Sequence, residues 1–186
     1  MSELSKKIIL GAVIILVVTI ILIKVEQRNN SISDNDYTPP PVPLDKLSLD
    51  TKEQELKKAI AEDPNNRDLL FRLGALYFES DRFTQAIEVY RKILKINEKD
   101  VDTLNDLGLA LHYTGQSNEA IKVLKQATTF NPLHQRAWLS LGFVLASTGR
   151  AEEAKNSLNR AINLNPDNPV GKEARRILGL IEKNTG

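Results

Sequence analysis

The sequence predicts an all-α fold: a solenoid of antiparallel helical hairpins, with three full repeats between two capping helices and a single transmembrane helix ahead of them. Three observations lead there. One pattern of leucine, glycine, alanine and proline recurs every 34 residues, and a fixed period of this length marks a chain built from stacked supersecondary units. Apolar residues make up 41% of the chain but aromatics only 5%, so leucine, isoleucine and alanine must fill the core, as they do where helices pack on helices. Residues 8–23 form an unbroken run without charge.

Composition removes several function classes. Lys+Arg of 25 against Asp+Glu of 24 leaves a net charge of +1, without the basic excess of a nucleic-acid partner. There is no cysteine, which excludes a disulfide framework, a thiolate metal site, a cysteine nucleophile and a lipid-modified N-terminal cysteine, and fits an oxidising compartment. A chain of 186 residues has room for one modest domain with accessories.

Residues 1–27 read as an N-terminal signal anchor. As a helix, the run 8–23 spans about 24 Å. The hydrocarbon core is roughly 30 Å thick, and Lys7 and Lys24 can snorkel to make up the difference. A cleaved signal peptide is the competing reading, but Lys24, Val25, Glu26, Gln27 and Arg28 follow with no small-x-small cleavage site. Lys6, Lys7 and the terminal amine outweigh Lys24 and Arg28, so the N-terminus is expected in the cytoplasm and the remainder in the periplasm or an equivalent extracytoplasmic space. Residues 28–49 read as a proline-rich linker: Pro39, Pro40, Pro41 and Pro43 impose extended geometry on a spacer reaching on the order of 50 Å.

Residues 50–66 read as a capping half-repeat. Asp50 is expected as N-cap, Glu53 completes a capping box, Leu56, Ala59 and Ile60 give one apolar stripe, and Asp63-Pro64 ends the helix. The full repeats are 67–100, 101–134 and 135–168. The third is the most complete, with Trp138, Leu141, Gly142 and Leu145 before a Thr148-Gly149 break, then Ala154, Leu158, Ala161 and Pro166. One period earlier stand Leu104, Leu107, Gly108, Leu111, Gly115, Ala120, Leu124, Ala127 and Pro132. Two periods earlier stand Leu70, Leu73, Gly74, Tyr77, Ala86, Tyr90 and Ile93, with Asp81 at the turn and Glu98 in the proline's place. Positions four, seven and eleven share one face of the first helix and bury against the second. A glycine inside a helix costs roughly 1 kcal/mol against alanine, so three in register at position eight require a packing reason, which close approach to the alanine of position twenty would supply. Residues 169–186 read as the closing helix, with Val170, Ala174, Ile177, Leu178 and Ile181 on one side and Lys172, Glu173, Arg175, Arg176, Glu182 and Lys183 on the other.

These residues and their spacing resemble the tetratricopeptide repeat family over 67–168. Leu70 and Leu104 stand where the family keeps a tryptophan and Glu98 where it keeps a proline, swaps that leave the fold intact. The resemblance implies a concave groove lined by positions two, five, nine, twelve and thirteen. These are Asp68, Phe71, Ala75, Phe78 and Glu79, then Asp102, Asn105, Leu109, His112 and Tyr113, then Arg136, Leu139, Phe143, Ala146 and Ser147. The expectation is a largely apolar groove that accepts a helix or extended peptide. The competing reading makes Phe71, Phe78, Leu109, Leu139 and Phe143 ordinary core. Members that bind chaperone tails hold a carboxylate at places occupied here by Phe71, Ala75, Asp106, Arg136 and Ser140. Only Arg136 fits, and Asp106 would repel a carboxylate.

No chemistry-bearing constellation stands out. The two histidines, His112 and His134, lie in different parts of a repeat, and His134 is expected as a solvated residue of a connection. No glycine-rich phosphate loop, glycine-flanked serine or metal-ligand spacing occurs, so no catalytic, cofactor or metal residues, no small-molecule substrate and no enzyme are expected. The resemblance implies a membrane-anchored scaffold that binds another protein and supports assembly of a membrane or envelope complex. The alternative is a self-associating structural component of an envelope machine of the secretion, pilus or cytochrome-maturation kind, against which the polar faces of the capping helices argue.

Overall fold

The computed structural model describes residues 44–185; the apolar run 8–23 and the linker as far as residue 43 lie outside the described residues. The helices are α1 (Leu44–Glu62), α2 (Arg67–Glu79), α3 (Phe83–Ile96), α4 (Val101–Tyr113), α5 (Ser117–Phe130), α6 (Gln135–Ser147), α7 (Ala151–Leu164) and α8 (Pro169–Thr185). The pairs α2/α3, α4/α5 and α6/α7 are the hairpins of the repeats, each packed on the next, and α8 packs on both α6 and α7. Among the described residues no helix is long and apolar enough to cross a membrane.

Every first helix opens with a side-chain cap at position thirty-four of the preceding unit. Asn66 Oδ1 accepts the Leu69 amide at 3.2 Å, Asp100 Oδ1 the Thr103 amide at 3.0 Å, and Asn168 Oδ1 the Gly171 amide at 2.8 Å. His134 does the same through Nδ1, which accepts the Ala137 amide at 3.2 Å. His134 is therefore a cap, not the solvated loop residue that its place in a connection suggested. The accepting lone pair on Nδ1 leaves the ring proton on Nε2, 3.0 Å from Asp102 Oδ1. Each cap is worth about 1 kcal/mol. Asp100 also holds the Arg67 fork at 2.8 and 2.9 Å, closing the first repeat end to end. The second helices stop at Ile96, Phe130 and Leu164, one period apart; the first does so without a proline, so Glu98 costs no register.

The turn between the helices of a repeat needs a left-handed residue. Gly115 and Gly149 supply it at φ 81° and 77°, and Asp81 adopts φ 58°. The amides that follow (Arg82, Gln116 and Arg150) then bond back to the carbonyls of Tyr77, Leu111 and Leu145 at 2.8–2.9 Å, the closure that an αL residue permits. Asp81→Gly is expected to stabilise the protein by about 0.5 kcal/mol, as relief of αL strain exceeds the entropy that glycine adds to the unfolded chain; the shift of the urea midpoint measures it.

The glycines of position eight do have a packing reason. A Cβ on Gly74 would lie 2.4 Å from Tyr90 Cε1, on Gly108 2.5 Å from Leu124 Cγ, and on Gly142 2.7 Å from Leu158 Cγ. The glycine makes room for the large side chain at position twenty-four, and Tyr90, Leu124 and Leu158 are all fully buried there. The alanines of position twenty, Ala86, Ala120 and Ala154, are buried beside them. Trp138 is only half-buried, and its Nε1 donates to the Pro132 carbonyl at 2.9 Å.

At the N-terminal end the structure corrects one boundary. The first helix starts at Leu44, so residues 44–49, assigned to the linker, are helical, and Asp50, expected as N-cap, lies inside. Proline restricts itself and the residue before it, so Pro43 does not prevent a helix from beginning at Leu44. Glu53 forms no capping box. It is buried against the second helix, accepting from the Tyr77 hydroxyl at 3.0 Å and Lys57 Nζ at 2.7 Å and pairing with the Arg82 guanidinium.

The closing helix keeps one face of a repeat and discards the other. Gly171, Ala174 and Leu178 occupy the register of Ala137, Ser140 and Val144 and pack inward. The positions that elsewhere receive a second helix carry Lys172, Arg175 and Arg176. At the other end, Lys52 stands in the register of the position-twenty alanines. Among the described residues, each end is thus charged at positions where a further repeat would need small or apolar side chains, and polar ends are what a finite solenoid requires.

Candidate functional site

The side chains expected to line the groove divide by burial. Tyr113 is 50% exposed and Arg136 59%. Phe71, Ala75, Phe78, Leu109, His112, Leu139, Phe143 and Ala146 are half-buried, and Asn105 is only 1% exposed. Asp68, Glu79, Asp102 and Ser147 are exposed at the rim. Phe71, Phe78, Leu109, Phe143 and Ala146 pack from one side against the cluster that holds positions seven and eleven, and Leu139 packs against Leu158, Ala161, Ala174 and Ile177. They are core on one side and surface on the other.

Ring contacts tie this face across the repeats. Phe78 meets Phe83 at 5.2 Å and Tyr113 at 5.9 Å, and Phe83 stacks on Tyr113 at 4.9 Å. His112 presents its ring to Phe143 edge-on at 5.4 Å and holds Ser117 Oγ 2.9 Å from Nδ1; burial pushes its pKa down, so the imidazole is neutral at pH 7. Phe71 is already engaged by two neighbours. It lies against Tyr90 at 6.0 Å and under the Arg67 guanidinium at 4.4 Å.

Two concavities open on this surface. One of about 220 Å³ is lined by Tyr113, Leu139, Ser140, Phe143, Glu173 and Ile177. The other, of about 440 Å³, lies between α1 and α2 and is lined by Leu56, Ala75 and Leu76 with Lys52, Glu55, Arg72 and Glu79 around them. On α4, the helix between, the floor is polar. Asn105 Nδ2 donates to Asp106 Oδ1 at 2.9 Å, and Arg136 reaches Asp106 at 3.4 Å. Asn105 Oδ1 and the Tyr90 hydroxyl are buried without partners. Burial raises the Asp106 carboxyl above the usual range, against the lowering effect of Asn105 and Arg136. Burial, then the charges of Asp106 and Glu79, pushes the Tyr90 phenol well above its ordinary value.

Sequence reasoning missed Glu173 and Ile177 as contributors to this face, and the fully buried Tyr90 that packs against Phe71. Tyr90 could have been found as the one tyrosine where the other two repeats keep leucine at position twenty-four. Glu173 and Ile177 come from the closing helix, whose register against the third repeat the pattern of 67–168 does not contain. No group of three or more histidine, aspartate or glutamate side chains suited to a metal ion occurs among the described residues.

The Tetratricopeptide repeat family model matches residues 53–107 and 111–178. No curated protein sequence matches the chain. Among solved structures the chain is similar to MamA protein, with 26% identity and a TM-score of 0.67 over 76% of this chain and 75% of that one. It is also similar to YrrB, described as a TPR protein with an unusual peptide-binding site, at 23% identity and TM-score 0.61 over 72% and 69% of the two chains. The type III secretion chaperone SycD of Yersinia enterocolitica, in complex with a peptide of the translocator YopD, matches at 20% identity and TM-score 0.58 over 64% and 94%. The last two likenesses are of fold alone.

Proposed function

The chain belongs to the tetratricopeptide repeat family, and from that premise we propose that its α2, α4, α6 and α8 surface holds a segment of a partner protein in support of membrane or envelope complex assembly. The family's domains are protein-interaction modules without catalytic machinery, as the neighbours solved with peptides illustrate. One observation carries the placement of the site. Every inward face of the helices is filled, yet a row of half-buried apolar side chains and two concavities remain open on the first-helix side. An apolar face of this kind is stable uncovered only while it stays small, and it gains free energy when a partner covers it.

The anchor belongs to the proposal too. The run 8–23 tethers the solenoid to a bilayer, the proline-rich linker holds it clear of the lipid, and the repeats work outside the cytoplasm. Protease accessibility of the 39–43 segment in intact cells tests the topology; protection there would place the repeats in the cytoplasm. Self-association end to end is disfavoured by Lys172, Arg175 and Arg176 on the closing helix and Lys52 on the opening one, so light scattering in detergent should report one chain per micelle.

The groove is tested by Tyr113→Glu with Leu139→Glu, which places charge in the smaller concavity at sites that are half-buried or more exposed. Cross-linked capture of the partner from native membranes should fall by at least about tenfold, with the helical circular-dichroism signal kept. Undiminished capture would remove this face as the site. Phe71→Glu is unsuitable for this purpose, because its ring is packed between Arg67 and Tyr90 and its loss would disturb the fold itself.

A further inference from the structure

We propose that the groove selects a segment carrying lysine or arginine two or three residues from a large apolar side chain, the cation seated against Asp106 and the apolar group in the Tyr113–Leu139–Phe143–Ile177 concavity. This rests on the groove reading above and gives its ligand a sign of charge.

The argument starts from what Asp106 lacks. Its side chain is 17% exposed, so little water reaches it, and a desolvated carboxylate needs several donors to offset the lost hydration. It has one good donor, Asn105 Nδ2. Arg136 stands off at 3.4 Å and is itself mostly in water; pairs of that kind contribute about 0–1 kcal/mol. Next to it, Asn105 Oδ1 is an acceptor without a donor although the residue is 99% buried by its 1% exposure. The Tyr90 hydroxyl, fully buried and unpartnered, lies in the field of Asp106 and Glu79. Two of these three groups are acceptors short of donors, and the third can accept as well as donate. Asn105 Oδ1 and the Tyr90 hydroxyl are closed to solvent, so the group a guest can reach is the partly exposed Asp106 carboxylate, and what satisfies it is a donor with positive charge.

The nearby cations do not supply it. Arg67 is committed, its fork on Asp100 and its face on Phe71. Arg136 can swing into solvent on its long stem when a guest cation arrives. An acidic guest would instead meet the Asp106 carboxylate beside Arg136, with the charge of Asp102 acting on the same place, and like charges oppose binding. This is a polarity opposite to that of a carboxylate-holding groove.

Geometry sets the spacing. Along α6, Arg136 marks the Asp106 site and Leu139 and Phe143 mark the concavity, three and seven residues on, or about 5–10 Å at 1.5 Å per residue. An extended guest covers that distance in about two or three residues. The concavity of about 220 Å³ suits one side chain of the size of leucine or phenylalanine.

The test is selection from a bead-displayed library of octapeptides, acetylated and amidated so that only side chains carry charge, against the full-length chain in detergent. Enrichment of lysine or arginine two or three residues from leucine, isoleucine, methionine or phenylalanine is expected. Replacing that basic residue by glutamine in the best peptide should weaken binding about tenfold or more, a check that needs no change to the protein. Asp106→Asn should lose the basic preference and keep the apolar one. Enrichment without a basic preference, enrichment of acidic residues, or a basic preference that survives Asp106→Asn overturns the charge assignment and leaves the groove standing. No enrichment at all, or a peptide set indifferent to Tyr113→Glu with Leu139→Glu, overturns the groove reading and this inference with it.

Discussion

Gly142→Val is expected to destabilise the protein by about 3 kcal/mol, because it drives a branched side chain into a space that is already filled. A Cβ at this position would stand 2.7 Å from both Cγ and Cδ2 of Leu158 and 3.3 Å from the Leu158 backbone nitrogen. Leu158 is fully buried, so its side chain has nowhere to retreat, and the backbone contact requires α6 and α7 to separate. In a domain of this size the cost corresponds to a fall of roughly 10 °C in the unfolding midpoint. A double-mutant cycle identifies the cause. Leu158→Ala alone should cost about 2–5 kcal/mol by leaving a cavity, and together the two changes should cost at least about 1 kcal/mol less than their sum, as expected of residues in contact. Additive effects would show that the glycine is retained for something other than room for Leu158. Gly149→Ala makes an informative contrast. Nothing lies within 4 Å of a Cβ there, so its smaller cost, about 1 kcal/mol, arises only from the left-handed backbone.

The second large effect belongs to Glu53. The Arg82 guanidinium, then Lys57, with a smaller contribution from the Tyr77 hydroxyl, hold its carboxyl down at about 2 against an ordinary 4.5. The sign follows from linkage. The folded state keeps Glu53 ionised where the unfolded chain already takes up a proton, so its contribution is complete above pH 4.5 and is lost as pH falls from there towards 2. A shift of this size corresponds to roughly 3 kcal/mol, and the 9% exposure of the side chain leaves little screening by solvent. Glu53→Gln should therefore lower stability at pH 7 by about 2–3 kcal/mol and flatten the decline of stability between pH 4.5 and pH 2.5 relative to the parent. Urea titrations at a series of pH values measure both. Equal pH slopes in the two proteins would mean that Glu53 carries no differential charge. The first helix covers the end of the stack and is fastened there by Glu53, so its loss should expose Leu56 and Ile60 and open the N-terminal concavity.

Much of this organisation is legible in the residues themselves. The 34-residue period, the glycine of position eight with the small alanine of position twenty, and the turn glycines fix three hairpins and their register. They do so because helix spacing and steric exclusion act locally: Gly115 and Gly149 are required by their φ values alone. Repetition also helped, since a residue that departs from its equivalents, such as Asp81 at a left-handed turn, is visible against them. The row of positions five, nine, twelve and thirteen was legible in identity but not in exposure. Leu109 and Phe143 share an outer face by helical geometry, yet how much of each is covered depends on the neighbouring repeat and on the closing helix.

The remainder was decided only by the tertiary structure. Glu53 looks like a capping-box residue because Asp50 stands three residues before it. Its actual partners, Tyr77 and Arg82, lie 24 and 29 residues away, and burial of a carboxylate where a guanidinium can reach it outweighs a local cap in an exposed turn. His134 caps α6 for a related reason: the connection carries it to a helix start, where any acceptor is stabilised by the free amides. The polar floor of the groove arises the same way. Nothing in the sequence separates Asn105 and Asp106 from other polar pairs on a helix surface. Packing of the repeats around them removes much of their water while leaving Asn105 Oδ1 without a donor. Local rules of helix, turn and period thus determined which repeats form and where they begin. Desolvation, which is a property of the assembled solenoid, decided which of their polar side chains lose water without gaining a donor.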